Sequence, residues 1–362
     1  MRFIFLFFCM LVLSAKAEKV SLSIRPTIMI ERSDAETIYQ YIKQHPQAKW
    51  AFDQEVLIAK KVLSLSPQPV KAIYYEGKVD HDPKRVACKK KLKDAEKMQS
   101  LLYAFLATKD PRFLSKSKEY ILAWAKEFEP TGNPINENKL TPFLTSYYFF
   151  RSDFKADEQK IIDAWVLKLG TLNSQFGKKE MGNWKSKRLK ISAMAGTILG
   201  NKTLLTYANE GIQEYIDKNL YADGRSFDMV YRDAMSYHCG GMKPLLSTLL
   251  CLPEQKNYWY NYQNADGGSV KKSVRYILPY ARKEKVYPQW VNSKVKFDRI
   301  RYEKGDQHYK PGTPWRPEKG MSVFEYAQFF EPEFKDIILN LKVPSTELSV
   351  ESILAEVMRK NS

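Results

Sequence analysis

The sequence predicts an all-α protein, an (α/α)n toroid or bundle of antiparallel helix pairs with long loops over one end. Three observations predict it. Apolar residues recur at the helical period through most of the chain, as in residues 90–108, where Leu92, Ala95, Met98, Leu102, Phe105 and Leu106 fall on one face. Loops rich in Pro, Gly and Asn separate these stretches, notably 129–138, 221–226 and 309–320. Period-two patterns that would mark strands are few, and successive helices of 10 to 20 residues pack most simply as antiparallel pairs.

The elements follow in order. Residues 35–66 hold two helices broken near His45-Pro46. After the helix at 90–108, Asp110-Pro111 restarts the chain for a helix over 111–128 carrying Phe113, Ile121, Ala125 and Phe128. Further helices fit 140–151, 156–175, 185–199, 202–218, 233–251 and 267–282, with a last one at 346–359. Asp233 is placed to cap the helix of 233–251, whose apolar stripe is Met235, Cys239, Met242, Leu246 and Leu249. Residues 283–330 are the least regular and are expected to lie across one end of the array.

Composition sets the class. The chain has 362 residues, 44% hydrophobic and 27% charged, as in a folded protein. Its start, MRFIFLFFCMLVLSAKA, has one arginine, an apolar run from Phe3 to Leu13, and Ala15-Lys16-Ala17 as a small-residue cleavage site. That pattern is a secretory signal peptide over 1–17, too short for a membrane anchor, with cleavage near Ala17/Glu18. The remainder, 18–362, shows no composition break and is expected to be one domain, monomeric, periplasmic or secreted. The formal net charge is +17, of which the leader supplies only Arg2 and Lys16. Such a field draws in polyanions. For an exported protein, acidic polysaccharide or an anionic membrane surface is the expected partner rather than nucleic acid. Beyond the leader, Cys88, Cys239 and Cys251 are an odd set without a C-x-x-C, and the four histidines are scattered. No metal or other cofactor is expected. Cys239 and Cys251, on one helix, are too far apart to bridge without breaking it.

Three polar stretches sit at helix boundaries: PTGNPINENKL (130–140), GNWKSKRLKISAM (182–194) and DGRSFDMVYRDAMSYH (223–238). In a toroid such ends surround the central cleft. Asn133 and Asn136 fit turn chemistry as well as binding. Trp184 suits either the core or a sugar-stacking platform, Tyr237 either packing or chemistry, and His238 either the core or proton transfer. Together they match the needs of β-elimination from a uronic acid polymer. One group must neutralise the C5 carboxylate, for which Asn, Arg and a helix N-terminus are suited; a base must take the C5 proton; an acid must protonate the leaving O4. Tyr can serve as both base and acid, and His as either.

Six segments resemble the alginate lyase superfamily of polysaccharide lyases, from about Tyr75 to Arg316. They are AFLATKDPRF, ILAWAKEFEPTGNPINENKL, GNWKSKRLKISAMAGTILGN, LYADGRSFDMVYRDAMSYH, VNSKVKFDR and TPWRP. The resemblance implies an α/α toroid. It implies that Asn183 neutralises the carboxylate, that Arg232 lies near the same carboxylate, and that Tyr237 or His238 transfers the proton. Mannuronate-cleaving members carry Asn-Asn-His where this chain has Gly182-Asn183-Trp184, and their arginine stands at another offset from the tyrosine. The Gly-Asn-Trp version resembles a branch that includes glucuronan- and alginate-cleaving enzymes. There a later tyrosine, such as Tyr280 or Tyr287, is a candidate, with Lys294 and Arg299 binding further carboxylates; from the polar helix-end clusters themselves, Asn136 and Trp184 are expected to bind substrate. The expected activity is cleavage of polymannuronate or polyglucuronate. The alternatives are an acidic-glycan-binding protein on the same scaffold and a glycoside hydrolase using two carboxylates among Glu137, Asp228 and Asp233.

Overall fold

The computed structural model describes residues 29–177, 179–341 and 349–360; the expected leader lies outside them. The chain opens with α1 (Ala35–Gln44) and α2 (Pro46–Val62), separated at His45 because Pro46 has no N–H to continue the first ladder. Next come α3 (Pro83–Lys91), α4 (Lys93–Thr108), α5 (Pro111–Glu127), the short α6 (Pro134–Glu137) and α7 (Thr141–Phe150). The middle is built from α8 (Ala156–Gln175), α9 (Gly182–Leu199) and α10 (Lys202–Asn219), then the six-residue α11 (Phe227–Arg232) and α12 (Met235–Leu250). After them come α13 (Lys256–Asn261), α14 (Val270–Tyr276) and α15 (Leu278–Ala281). The last segments are α16 (Lys296–Glu303), α17 (Met321–Ala327), α18 (Phe334–Leu341) and α19 (Val350–Lys360). Two two-residue strands, β1 (Pro288–Gln289) and β2 (Thr313–Pro314), pair antiparallel.

Burial separates inner from outer helices. Fourteen of the eighteen residues of α9 are buried, against seven of eighteen in its neighbour α10, whose buried residues form a single stripe. Helix α9 packs on α8, α10 and α12; α4 packs on α2, α5 and α7; α12 packs on α17. The inner series α4, α7, α9, α12 and α17 is closed by α19, which touches α1, α2 and α17. This is the α/α toroid expected from the helix pairs. No helix among the described residues is long and apolar enough to cross a membrane.

Two expectations change. The helix expected over 267–282 is split into α14 and α15 around Ile277, ahead of Pro279. Asp233 does not cap α12. It is the left-handed C-cap of α11, with φ +50°, and the cap position of α12 is Ala234. The short α11 had no periodic signal, so its stop at Asp233 was invisible in the pattern. Cys88, Cys239 and Cys251 are all free and buried.

Candidate active site

The N-terminal turn of α9 meets α11 and the first turns of α12. Gly182 opens α9 with φ +61°, and a Cβ there would lie 2.6 Å from Asp228 Oδ1. Glycine is therefore required by both the backbone and the neighbouring carboxylate. Its N–H donates to Asn219 Oδ1 at 2.6 Å. Asn183 follows, at the helix N-terminus as expected, and is buried. Its Nδ2 donates to Asp228 Oδ1 at 2.9 Å, and its Oδ1 accepts from Lys187 Nζ at 2.8 Å. Asp228 is buried, and its Oδ2 has no hydrogen-bond partner. Burial pushes its pKa up to about 6, against the pull of Asn183, Lys187 and Arg232.

Arg232 ends α11 and commits its guanidinium to Asp298, with Nε at 3.2 Å and Nη2 at 2.8 Å. Asn183 and Arg232 therefore meet through the field on Asp228 rather than by direct contact. The guanidinium also lies 3.8 Å from the centroid of the Tyr237 ring. Tyr237 Oη accepts from Arg301 Nη1 at 3.0 Å and lies 3.4 Å from Tyr309 Oη, which takes a bond from the same Nη1 at 2.8 Å. Burial and the neighbouring Tyr237 push the Tyr309 pKa well up, against the pull of Arg301. Arg301 is thus a buried cation shared by two phenols, with Asp298 Oδ1 3.8 Å from the same Nη1.

The segment after α15 is clamped onto the α11–α12 junction. Asp233 Oδ1 accepts from Tyr287 Oη, and its Oδ2 from Asn292 N at 2.7 Å. Its carbonyl accepts from Trp290 N–H at 2.8 Å. Gln289 Oε1 accepts from both the backbone and the hydroxyl of Ser236. Trp290 is itself left-handed, at φ +69°, and its ring is edge-on to Tyr237. Two left-handed non-glycine residues joined by one hydrogen bond are a costly local arrangement, held by the contacts around them.

Several expected residues stand elsewhere. His238 is fully buried: Nε2 faces the Ser273 carbonyl at 2.9 Å and Nδ1 the Ser226 hydroxyl at 2.8 Å. A carbonyl can only accept, so Nε2 carries the proton and Nδ1 accepts from Ser226. Burial lowers the His238 pKa to about 4. This neutral, satisfied ring has no access to a substrate, which takes it out of the proton-transfer set. Asn136 spends its amide bridging Glu76 N and Ile73 O, and Asn133 caps α6. Burial, together with its bond to Asp233, holds the proton on Tyr287. Trp184 is half-buried, while Lys294 and Arg299 are exposed. Tyr280 packs edge-on against Tyr287.

Two of the three carboxylates of the hydrolase alternative are also occupied, and the third, Asp228, is buried. Glu137 is buried, accepting from Thr131 N, Gly132 N and Asn173 Nδ2, and Asp233 holds Tyr287 and Asn292. Neither is free to face a glycosidic bond. Sequence reasoning missed Arg301, Tyr309 and Asp298. The only signal for them was the VNSKVKFDR segment that brings Asp298 and the start of α16 to the cleft.

Lys187, bonded to Asn183, also lines a cavity of about 510 Å³ in the ring. Its lining includes Lys187, Lys190, Ser236, Gly240, Lys243 and Lys319.

A family model described as alginate lyase matches residues 35–287. No curated protein sequence matches. Similar solved structures include an alginate lyase from Bacteroides ovatus, 15% identical over 89% of this chain and 97% of that one, with a TM-score of 0.63. Alginate lyase A1-III from Sphingomonas species A1 is 13% identical over 91% and 94% of the two chains, with a TM-score of 0.60. An A1-III variant complexed with a tetrasaccharide is 14% identical over 85% and 88%, with a TM-score of 0.58. At these identities the structures speak for the toroid fold, while the family model spans most of the chain: the protein belongs to the alginate lyase family and is a polysaccharide lyase.

Proposed function

We propose that the chain is an exported lyase that cleaves an acidic uronate polymer, polymannuronate or polyglucuronate, by β-elimination. Residues 18–362 form its single toroid domain. The observation that carries this reading is the Tyr237 phenol held between Arg301 and the face of the Arg232 guanidinium, with Asn183 at the N-terminus of α9 bonded to Asp228 of the same α11 that ends in Arg232. The apolar Phe3–Leu13 run before Ala15-Lys16-Ala17 supports export, and the +17 charge supports an anionic substrate.

The chemistry divides among these residues. The substrate carboxylate sits by Asn183, whose amide keeps one N–H beyond the bond to Asp228, and by Lys187. Charge neutralisation there makes the C5 proton acidic. Tyr237 Oη, as the phenolate, takes that proton and becomes the neutral phenol; the C5–H electrons form the C4–C5 double bond as the C4–O4 bond breaks. The same phenol then delivers a proton to O4. Arg301, donating to both tyrosine oxygens, stabilises the Tyr237 phenolate before it takes the C5 proton and again once O4 is protonated. Arg232 covers the ring and orients it. Tyr309 shares the Arg301 donor and positions it.

Incubating the purified protein with alginate, glucuronan, hyaluronan and pectate tests the reading. The expected result is the ultraviolet absorbance of an unsaturated uronate from one or more of the first two. No unsaturated product from any acidic polymer would sink it.

A further inference from the structure

The cavity beside Lys187 has an unusual charge. Lys187, Lys190, Lys243 and Lys319 line it together with two carboxylates, Glu325 and Glu351. The carboxylates are engaged elsewhere: Glu351 accepts from Gln99 at 2.7 Å and Tyr103 at 3.2 Å, and Glu325 from Ser349 at 2.7 Å. None of the four lysines is ion-paired with a carboxylate among the described residues. Lys190 is buried, and its ammonium has one partner, Thr141 Oγ1 at 2.6 Å. Burying an unpaired ammonium is expensive, and a second cation beside it adds to the cost. A fold that keeps such a cluster without pairing it to carboxylates is shaped to receive an anion.

The placement of the lysines has a local cause. Asn183, Lys187 and Lys190 stand at i, i+4 and i+7 of α9, on one face, descending about 10 Å along the axis. Across the cavity, Pro244 has no N–H, which frees the carbonyl of Gly240 from the ladder of α12. Lys187 Nζ donates to that carbonyl at 3.2 Å, as well as to Asn183. Lys187 is thereby fixed at the junction of the candidate site and the cavity. Beyond this level the ring is solid, since Ile191 to Gly196 of α9 and Leu245 to Leu250 of α12 are buried. The cavity is therefore a dead end, with apolar Leu354, Ala355 and Met358 of α19 on its wall. Its volume falls in the range of pockets that enclose a small ligand.

We propose that this blind cavity seats the terminal uronate of the polymer, its carboxylate among Lys187, Lys190 and Lys243, so that the enzyme works from chain ends. The proposal rests on the lyase reading above for the identity of the polymer, and it adds the mode of attack. The cleft at Asn183 then holds the residue next to the end, and elimination releases short products one step at a time.

Titration of the full-length protein with a saturated mannuronate or glucuronate trisaccharide, and with its carboxyl-reduced neutral counterpart, tests it. The expected result is that the acidic trisaccharide binds and the neutral one does not. Lys190→Met and Lys243→Gln should each weaken binding about tenfold or more, as loss of a charged hydrogen-bond partner does. Lys243 is only half-buried, so its variant reports on binding even if Lys190→Met perturbs folding. Products from long polymer should be short from the earliest time points, with viscosity falling slowly. Equal binding of acidic and neutral trisaccharides, unchanged affinity in both variants, or mid-sized early products would each overturn it. Lysine-dependent binding without any unsaturated product would instead overturn the lyase reading and leave the cavity's ligand in place.

Discussion

Replacing Lys190 with methionine should make the protein more stable. Burial, with Lys243 and Lys187 adding to it, lowers the Lys190 pKa from 10.5 to about 7. A tenfold loss of proton affinity is worth about 1.36 kcal/mol, so the charged side chain costs the fold up to about 5 kcal/mol. Methionine has a similar length and no charge. It also removes the bond to Thr141 Oγ1, which keeps only its own bond to the Asn138 carbonyl, a loss of about 1–3 kcal/mol. The net gain is about 2–4 kcal/mol. The pH dependence fixes the origin of the effect. Below pH 7 the lysine is protonated in both folded and unfolded chains, and the full cost applies. Between pH 7 and 10.5 the folded chain has given up the proton while the unfolded chain keeps it. The cost shrinks across that window and vanishes near 10.5. Urea unfolding of both proteins from pH 6 to 10 should show the variant's advantage large at pH 6–7 and small at pH 10. A variant less stable than the parent at pH 6, or an advantage that does not fall with pH, would refute the reasoning.

Other predictions follow from the same geometry. Tyr237→Phe should lower turnover at least about 100-fold with little change in substrate affinity, since it removes a proton-transfer group. Tyr309→Phe, which keeps the Arg301 bond to Tyr237, should cost far less; equal losses in steady-state kinetics would contradict these roles. Gly182→Ala should destabilise the fold and abolish activity, because its Cβ would press on Asp228 from a left-handed backbone; a normal melting temperature would count against that close approach. His238 and Asp228 should titrate against each other. Keeping His238 neutral stabilises the fold above pH 6.5, and that contribution is lost as pH falls towards 4, up to about 3 kcal/mol. Asp228, raised to about 6, contributes stability present below pH 3.8 and lost as pH rises through 6, also about 3 kcal/mol. Relative to the parent, His238→Gln should therefore lose stability as pH rises from 4 to 6.5, and Asp228→Asn should lose it as pH falls. Shifts of the same sign in both variants would rule this out.

The helical array was legible because its signals are local. Pro46 and Pro111 mark helix starts wherever they occur, and the apolar stripe of α4 needs no knowledge of its partners. The same locality located the candidate site, through the polar helix ends at Gly182–Asn183 and Arg232–Tyr237. What failed depended on helix register and on distant chain. Tyr237 and His238 are adjacent and so about 100° apart around α12. One reaches the cleft and the other the core, and only the true start of α12, one residue past Ala234, decides which. Asp233 looked like a cap because aspartate usually is one there. Its left-handed conformation is imposed by Trp290, Asn292 and Tyr287, more than 50 residues away. Arg301 and Tyr309 reach Tyr237 across a stretch with almost no periodic pattern.

Asn183 shows how these two kinds of information combine. Its place at the start of a buried helix could be read from Gly-Asn-Trp, yet an asparagine there is ordinarily a cap that serves its own helix. Here the amide serves no backbone N–H. It is clamped between the carboxylate of Asp228 and the ammonium of Lys187, and Lys187 is in turn pinned by a carbonyl that Pro244 left free in α12. A cap tolerates serine or aspartate in exchange, because only one acceptor oxygen is needed. A clamp that presents a donor to one side and an acceptor to the other does not. Asn183→Asp would set a second carboxylate against Asp228, which is buried and already raised in pKa, and would remove the N–H offered to substrate. The physical demand on this position is therefore for an amide, and that demand comes from the cleft rather than from the helix.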